Sequence, residues 1–441
     1  MRDPFRRTIG VIAAIALGLA LWGADAVAED QVVVQRNVSV REAPDRQTPV
    51  VTFPAIGQVL DLLDAGARTG GYYHVILPDG RTGWVYFSFV RRLPETAGGP
   101  ATSLVAGDRV AVHYIDVDQG AAALLEFPCG AVMIDVGGRG EAASAHLAAY
   151  LDAFFARRTD LHGRLDAIFI THTHVDHNSN LKAVVQAPGR TVGSYIHNGV
   201  MTGSGRANAR WLAGFPPRTP AYAAAAAPPI QVREVSEDEV AAAGGQGLSD
   251  AVIDPLACPR VDPRIRVLSG RYDDSPGWSD GELDNGNNQS LVIRVDYGAA
   301  SFLFTGDLEE PAIETLVSRY AGGGVLDVDV WEVGHHGSAN GVTESLLRAM
   351  SPQIAVISMG RPSVHEKWTA WAYGHPRRGS VTLVDRYVSD KRRGPPRVLV
   401  ADKVKQFSAY APAHAVYATG WDGDVTVSAG PDGALRVELG K

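Results

Sequence analysis

The run Leu165-Asp166-Ala167-Ile168-Phe169-Ile170-Thr171-His172-Thr173-His174-Val175-Asp176-His177 decides how the rest of the chain is read. Its first half is apolar at all but one position and has the length of a buried strand. Its second half packs three histidines and one carboxylate into six residues directly after that strand. Imidazole and carboxylate are the donors that a borderline divalent metal takes. His172 and His174 are two apart, so on an extended segment they leave the same face and can grip one ion. Asp176 and His177 follow where the chain is expected to turn into a helix over 178–186, and there they face a second ion. Two ions about 3.5–4 Å apart can activate water and hold both oxygens of a displacement. A lone histidine on such a turn would be an ordinary surface residue. Four ligand-type residues at this spacing are not accounted for by packing.

Other polar residues extend the constellation. Asp307 closes the apolar-flanked run Phe302-Leu303-Phe304-Thr305-Gly306-Asp307. A carboxylate at the end of a buried strand is costly without a partner, although it could instead cap the helix expected over 310–320. His335 and His336 follow a strand expected over 328–333. Being adjacent they point different ways, so one can be a ligand while the other stands behind it or donates a proton; His335 is preferred slightly as the ligand. His197 is the only histidine between His177 and Asp307. It comes early for a further ligand and is read as an active-site neighbour in contact with substrate. Asn287, Asn288 and Ser290 lie beside a strand, where they can bind substrate or cap a turn. His375 precedes Pro376, which disfavours regular helix there. Asp116 and Asp135 are read as supports for the surrounding loops.

These motifs resemble the metallo-β-lactamase superfamily, and within it the hydrolase domain of ComEC-type competence DNA-uptake proteins. The resemblance is carried by His172 to His177, by Asp307, and by Gly334-His335-His336-Gly337-Ser338. It extends to His113-Tyr114-Ile115-Asp116-Val117-Asp118-Gln119-Gly120, Met133-Ile134-Asp135-Val136-Gly137-Gly138, Asn287-Asn288-Gln289-Ser290-Leu291-Val292 and Tyr373-Gly374-His375-Pro376. The closing run Val416-Tyr417-Ala418-Thr419 through Gly423-Asp424-Val425 is also similar. The likeness spans roughly residues 111–439. It implies an α/β fold, the αββα sandwich. It implies two divalent metal ions, zinc first and manganese second, held by His172, His174, Asp176, His177, Asp307 and His335. Asp176, His336 and His375 would be the catalytic residues, with a metal-bridging hydroxide as nucleophile. Asn288, Ser290 and His197 would contact substrate. The chain departs from the branch at Asp118, where glycine is usual, at Ala121, where an acidic residue is usual, and at Asn178-Ser179-Asn180. These departures bear on the substrate more than on the metals.

Length and composition frame this reading. The chain has 441 residues, 45% hydrophobic and 20% charged, enough for two or three domains with real cores. Arg2, Arg6 and Arg7, an apolar core over 9–22 and Ala26-Val27-Ala28 read as a signal peptide over 1–28, with an uncleaved anchor as the alternative. The formal charge is −8, and losing three Arg and two Asp with that segment leaves −9. Such a chain lacks the overall positive field of a nucleic-acid binder. Lys391-Arg392-Arg393 with Arg397 is a local basic cluster, either a solvated loop or a contact for a phosphate-rich substrate. No transmembrane segment is expected in the mature chain. Cys129 and Cys258 could pair in an oxidising compartment or remain free thiols.

Residues 31–95 read as a separate all-β unit. Five short β-rich runs, 32–35, 50–53, 59–63, 73–77 and 83–87, alternate with turn signals and suggest a small barrel. Asn37-Val38-Ser39-Val40-Arg41, Ile56-Gly57-Gln58-Val59 and Gly83-Trp84-Val85 resemble a bacterial SH3 domain, which implies a cell-wall peptide as partner. Tyr72, Tyr73 and Trp84 could line its groove or simply fill core and rim. A linker is expected over 96–107 and the hydrolase domain over 108–441. That domain carries an irregular insertion over about 200–285, containing Pro216-Pro217 and the alanine run 223–227, and Ile265-Arg266-Val267-Leu268 reads as the strand that returns the chain to the sandwich.

The expected function is an exported binuclear metal-dependent hydrolase acting on phosphodiesters, with nucleic acid or a nucleotide as substrate. The alternatives are hydrolysis of another ester or amide, such as a wall phosphoester or lactone, and a non-catalytic wall-binding protein with a metal-stabilised scaffold. Metal-based redox chemistry would call for extra carboxylate ligands and a flavin partner domain, neither of which is seen.

Overall fold

The computed structural model describes residues 31–34, 38–55, 58–64, 68–77, 79–92, 108–214, 229–392 and 397–440. The signal peptide expected over 1–28, the linker over 96–107, Asn37, the Ile56-Gly57 turn, Pro216-Pro217, the alanine run and Arg393 lie outside these. The chain divides into two units, Met1–Pro100 and Ala101–Lys441, each taken by itself.

Among the described residues the first unit is an antiparallel sheet of eight strands: β1 (Gln31–Val34), β2 (Val40–Arg41), β3 (Val50–Thr52), β4 (Val59–Leu62), β5 (Arg68–Thr69), β6 (Tyr72–Ile76), β7 (Thr82–Tyr86) and β8 (Val90–Arg92). Their order is β3-β2-β7-β6-β4-β1-β8, with β5 paired to β6. All five expected β runs are strands; the remaining three are too short to read from sequence. Val32, Val40, Leu60, Val75 and Val85 form the core. Of the three aromatics weighed for a groove, only Tyr72 lines the surface depression, with Phe53, Tyr86 and Phe89. Trp84 stacks on His74 at 4.4 Å, and Tyr73 packs against the core.

Among the described residues the second unit is built on two large sheets, with a separate hairpin of Val398–Lys403 and Gln406–Tyr410. The first contains β9 (Val110–Tyr114), β10 (Ala122–Phe127), β11 (Gly130–Val136), β12 (Arg164–Ile170), β13 (Thr191–His197) and β14 (Gln231–Glu234). It is completed by two late strands, Val425–Ala429 and Leu435–Leu439, that return beside β9. β11 to β14 run parallel. The second sheet starts with β15 (Arg264–Ser269), β16 (Val292–Tyr297), β17 (Ala300–Phe304), β18 (Val330–Glu332) and β19 (Ile354–Ile357), and Val416–Ala418 is its last strand. β17, β18 and β19 run parallel.

Alternation along β12 shows how the layers form. Ala167 and Phe169 enter the core between the sheets, with Tyr114 of β9 and Phe304 of β17. Ile168 and Ile170 point the other way, and Leu165, at the start of the strand, joins their cluster. There they meet helix α1 (Gly140–Arg157) through Leu147, Leu151 and Phe154. Helices Glu310–Arg319, Glu344–Met350 and Arg378–Tyr387 add Ile313, Leu347 and Val384 to the second sheet's packing. This is the α/β layering of the αββα sandwich.

The insertion differs from expectation. Among the described residues of 200–285 it forms helix Arg206–Ala213, strand β14 and helix Glu237–Ala242, and β15 is the strand expected over 265–268. β14 and β15 are edge strands, one on each sheet. β14 is four residues long and mostly exposed, so it lacks the apolar run that betrays a buried strand. Cys129 and Cys258 form a disulfide that ties this segment to the β10–β11 turn. Arg392 of the basic cluster is buried, pairs with Asp422 and lies over the Tyr417 ring at 4.4 Å, so it does not face a ligand.

Candidate metal centre

Parallel strands bring their C-terminal ends to one edge, and there the histidines meet. His172 follows β12, Asp307 follows β17, and His335 and His336 follow β18. Short helix α2 (Val175–Asn178) supplies Asp176 and His177, and α3 (Leu181–Val185) continues after a break, so the helix expected over 178–186 is two pieces. The break and the turn are held by close backbone approach. A Cβ at Gly137 would stand 1.5 Å from the Asp176 carbonyl oxygen, so only glycine fits there.

Five side chains converge. His177 Nε2 is 3.2 Å from Asp307 Oδ1 and 3.3 Å from His336 Nε2. His336 Nε2 is 3.5 Å from Asp176 Oδ2 and 3.6 Å from Asp307 Oδ2. His172 Nε2 is 3.8 Å from Asp307 Oδ2. Two overlapping triads result among the described residues: His172, His177 and Asp307, and Asp176, His177 and His336.

The donor set fits a divalent cation. His177 Nδ1 is 2.6 Å from Asp135 Oδ2, and His336 Nδ1 is 2.6 Å from the carbonyl oxygen of Ser358. Both partners accept, so both Nδ1 atoms carry the proton and both Nε2 lone pairs face inward. Two such lone pairs 3.3 Å apart beside a carboxylate repel unless something positive lies between them. His172 Nε2 is fully buried with no hydrogen-bond partner, which is costly for a polar atom with nothing to bind.

Protonation responds to the same crowding. Burial lowers the pKa of His172, and the neighbouring His177 lowers it further. Burial opposes charge on His177 too, but Asp307 and Asp135 overcome it and raise its pKa well above the ordinary range. His336 is likewise raised by Asp307 and Asp176 against burial. Burial would raise Asp307, yet His177, His336 and His335 hold it well below the usual carboxylate range. Protons on these imidazoles thus do electrostatically what a cation would do.

The sequence-derived candidates divide. His172, Asp176, His177 and Asp307 come together as expected. His174 lines the adjoining cavity, its ring 4.7 Å from that of His172, but stands outside both triads. The two late histidines differ in position. His336 is buried in the cluster, whereas His335 lies 3.9 Å from Asp307 and turns its Nδ1 toward Glu309 at 3.6 Å. Both sit at left-handed φ of 50° and 51°, a tight turn whose side-chain directions sequence cannot give. His197 is a correction. It pairs in register with Ile170, whose side chain faces the outer helix layer, and is not part of the cavity wall. Burial, opposed by Glu234, lowers its pKa to about 4. Asn288 and Ser290 are corrections as well. Asn288 is buried, donating to Glu282 and accepting from Glu309 N–H. Ser290 Oγ accepts from the N–H of Asp307 at 3.1 Å, so it places the carboxylate rather than touching substrate. Asn287 is the residue of that motif that faces the cavity.

The cavity beside the cluster has a volume of about 650 Å³. His375 lines it, its pKa lowered to about 3 by burial and by His336 and His335. Gln119 Oε1 accepts from Gly360 N–H, so its amide nitrogen donates to His375 Nδ1 at 3.4 Å, leaving the Nε2 proton free to donate. Sequence reasoning did not single out Gln119, Arg139 or Trp368, which also line it. It also passed over Glu332, buried behind the cluster and bonded to the Ser358 hydroxyl at 2.5 Å. A charged residue closing an otherwise apolar strand was the available signal.

Comparison with known proteins agrees with this geometry. Residues 115–361, more than half of the chain, match the family model of the metallo-beta-lactamase superfamily. The chain is 28% identical over 130 residues to ComE operon protein 3 of Bacillus subtilis, covering 29% of this chain and 15% of that protein. It is 41% identical over 90 residues to competence protein ComA of Neisseria gonorrhoeae, covering 20% and 12%. With recombination protein 2 of Haemophilus influenzae it shares 40% over 89 residues, covering 20% and 10%. The matches therefore span no more than 15% of those relatives' lengths. The crystal structure of the metallo-beta-lactamase fold protein YhfI from Bacillus subtilis matches with a TM-score of 0.28 and 14% identity, covering 51% of this chain and 70% of that one. The chain belongs to the metallo-β-lactamase superfamily, whose members are generally metal-dependent hydrolases.

Proposed function

We propose that this protein is an exported phosphodiesterase. The observation that carries the reading is the inward-facing pair of Nε2 atoms on His177 and His336, set against the Asp307 carboxylate at the base of a cavity that Arg139 also lines. Relatives named as competence and recombination proteins point to DNA handling, and so to a phosphodiester. His172, His177 and Asp307 would hold one ion and Asp176, His177 and His336 a second, with His174 adjoining. Zinc suits this histidine-rich set best, and manganese is the alternative. Bound there, such ions polarise a phosphoryl oxygen and bring the pKa of water near 7.

The chain's own residues do the rest. Arg139 offers a guanidinium to a phosphate oxygen. His375 is neutral at physiological pH and so acts as a hydrogen-bond donor through Nε2 to the phosphate or its leaving group. Asp135 and Ser358 fix the tautomers of His177 and His336. Ser290 and the left-handed Gly306 fix the approach of Asp307.

Export is supported by the N-terminal basic and apolar run and by the Cys129–Cys258 disulfide, since disulfides persist in oxidising compartments. No helix among the described residues is long and apolar enough to cross a membrane. The SH3-like unit would hold the enzyme to a cell-wall peptide, with Phe53, Tyr72, Tyr86 and Phe89 as the contact.

The test uses purified mature protein. Bound metal is measured, and turnover of bis-p-nitrophenyl phosphate and of DNA is compared with Asp307→Ala. Metal-dependent turnover lost in the variant supports the reading. Metal without phosphodiesterase activity shifts it to another ester or amide.

A further inference from the structure

We propose that the rim of this cavity is a nucleobase subsite, with Trp368 as its stacking platform and Tyr373 as its second wall. The proposal rests on the phosphodiesterase reading and names the substrate class, a nucleoside phosphate ester. Trp368 is 66% exposed although it is the largest side chain type, and it lines the same cavity as Asp176, Asp307 and His336. Leaving an indole in water forfeits a large burial gain, so its position calls for a ligand.

The position is built. Trp368 sits at φ 64°, a conformation bulky residues rarely adopt. Its neighbour Thr369 is fully buried, with Oγ1 2.9 Å from the carbonyl oxygens of both Val364 and Glu366. Thr369 also caps helix Ala370–Tyr373 by accepting from Ala372 N–H. The pinned turn holds the indole outward against backbone strain. At the other end of that helix, the Tyr373 ring lies 6.2 Å from the Trp368 ring at 49°, so the two form an open V. The His375 ring stacks beside that of Tyr373, 5.6 Å away and within 18° of parallel. Arg139 lines the cavity too, its side chain 29% exposed and loosely paired with Glu366 at 3.7 Å. An aromatic face beside a guanidinium and a metal-type donor set is what a base joined to a phosphate requires. A sugar ring could also stack on an indole, and the test separates the two.

The zinc-loaded protein and Trp368→Ala and Trp368→Phe variants are assayed on two diesters with one leaving group, thymidine 5′-(p-nitrophenyl phosphate) and methyl p-nitrophenyl phosphate. Binding of thymidine 5′-monophosphate is measured in parallel by calorimetry. The kcat/KM ratio of nucleoside to methyl ester should fall roughly 5- to 150-fold in Trp368→Ala, the range of base stacking on an aromatic ring, and recover largely in Trp368→Phe. Nucleotide affinity should fall in step. An unchanged ratio together with unchanged nucleotide binding overturns the subsite. So does an N-acetylglucosamine oligomer whose binding needs Trp368 while the nucleotide does not bind. If the wild type cleaves neither diester, the phosphodiesterase reading fails, and nucleotide binding still decides the subsite.

Discussion

Nδ1 of His177 lies 2.6 Å from Oδ2 of Asp135, and the same carboxylate accepts from the backbone N–H and the hydroxyl of Thr171. One buried acid therefore fixes both the turn that carries His172 and the tautomer of the histidine shared by both triads. Such outer partners typically set metal affinity by 10–100-fold. Asp135→Asn keeps the shape and removes the charge. Its zinc affinity should fall by about that factor in competition with a chromophoric chelator, with the circular dichroism unchanged. Unaltered affinity would show that the bond only packs the turn.

The adjacent pair gives a sharper discrimination. His336 lies within 3.6 Å of both Asp176 and Asp307, while His335 leans toward Glu309. Metal content by mass spectrometry should drop by about one ion per chain in His336→Ala and stay at the wild-type value in His335→Ala. The opposite pattern would return the ligand role to His335.

Why that pair was ambiguous shows what the sequence carries. His172, Asp176, His177 and Asp307 were legible because ligand chemistry and strand-end position coincide in the linear chain. β12 could be read for the same reason: its apolar run is buried on both faces. His335 and His336 were not separable, because two consecutive left-handed residues set directions that no periodicity encodes. His197 misled because a histidine at a strand end suggests a site, whereas the parity of its pairing with Ile170 turns it to the outer layer. Asn288 and Ser290 were located correctly near the site but act on Glu282, Glu309 and Asp307 instead of substrate. Trp368 lies in a loop, where only the fold reveals which surface it faces. Edge strand β14 escaped because its mostly exposed residues carry no apolar signature, whereas β15, buried at five of its six positions, was legible in the run Ile265 to Leu268.

Glu332 predicts a pH dependence. It is buried, and burial pushes its carboxyl up to about 7, with the Ser358 hydroxyl opposing and Asp135 adding to the rise. An acid with a raised folded pKa favours the protonated native state. Its contribution is complete below the unfolded value of about 4.5 and is lost as pH rises through about 7. Glu332→Gln cannot ionise and removes that loss. In metal-stripped protein, the variant should gain on the wild type between pH 4.5 and 7.5, by on the order of 2–3 kcal/mol at the upper end. Denaturant midpoints across that range test it, and parallel curves would contradict the assignment.

The disulfide acts at the opposite end of the sheet from the metals. Cys129 precedes β11 at Gly130, whereas Asp135 and the Gly137-Gly138 turn lie at its far end, roughly 20 Å away at about 3.3 Å per residue. The bridge closes a loop spanning 129 positions that contains β11, β12, β13, β14 and most of the metal motif. Loops of that size restrict the unfolded chain strongly, by about 4–5 kcal/mol on the chain-entropy model and typically 2–4 kcal/mol as measured. Replacing both cysteines by serine should therefore lower unfolding stability by about 2–4 kcal/mol, read from the denaturant midpoint. Zinc affinity at neutral pH should not move, because the bridge lies at the opposite end of β11 from Asp135. A loss of metal with the bridge would mean that the insertion it anchors also shapes the site, through Asn198 of the β13 end, whose amide donates to the Gln289 carbonyl beside the Asn287 loop.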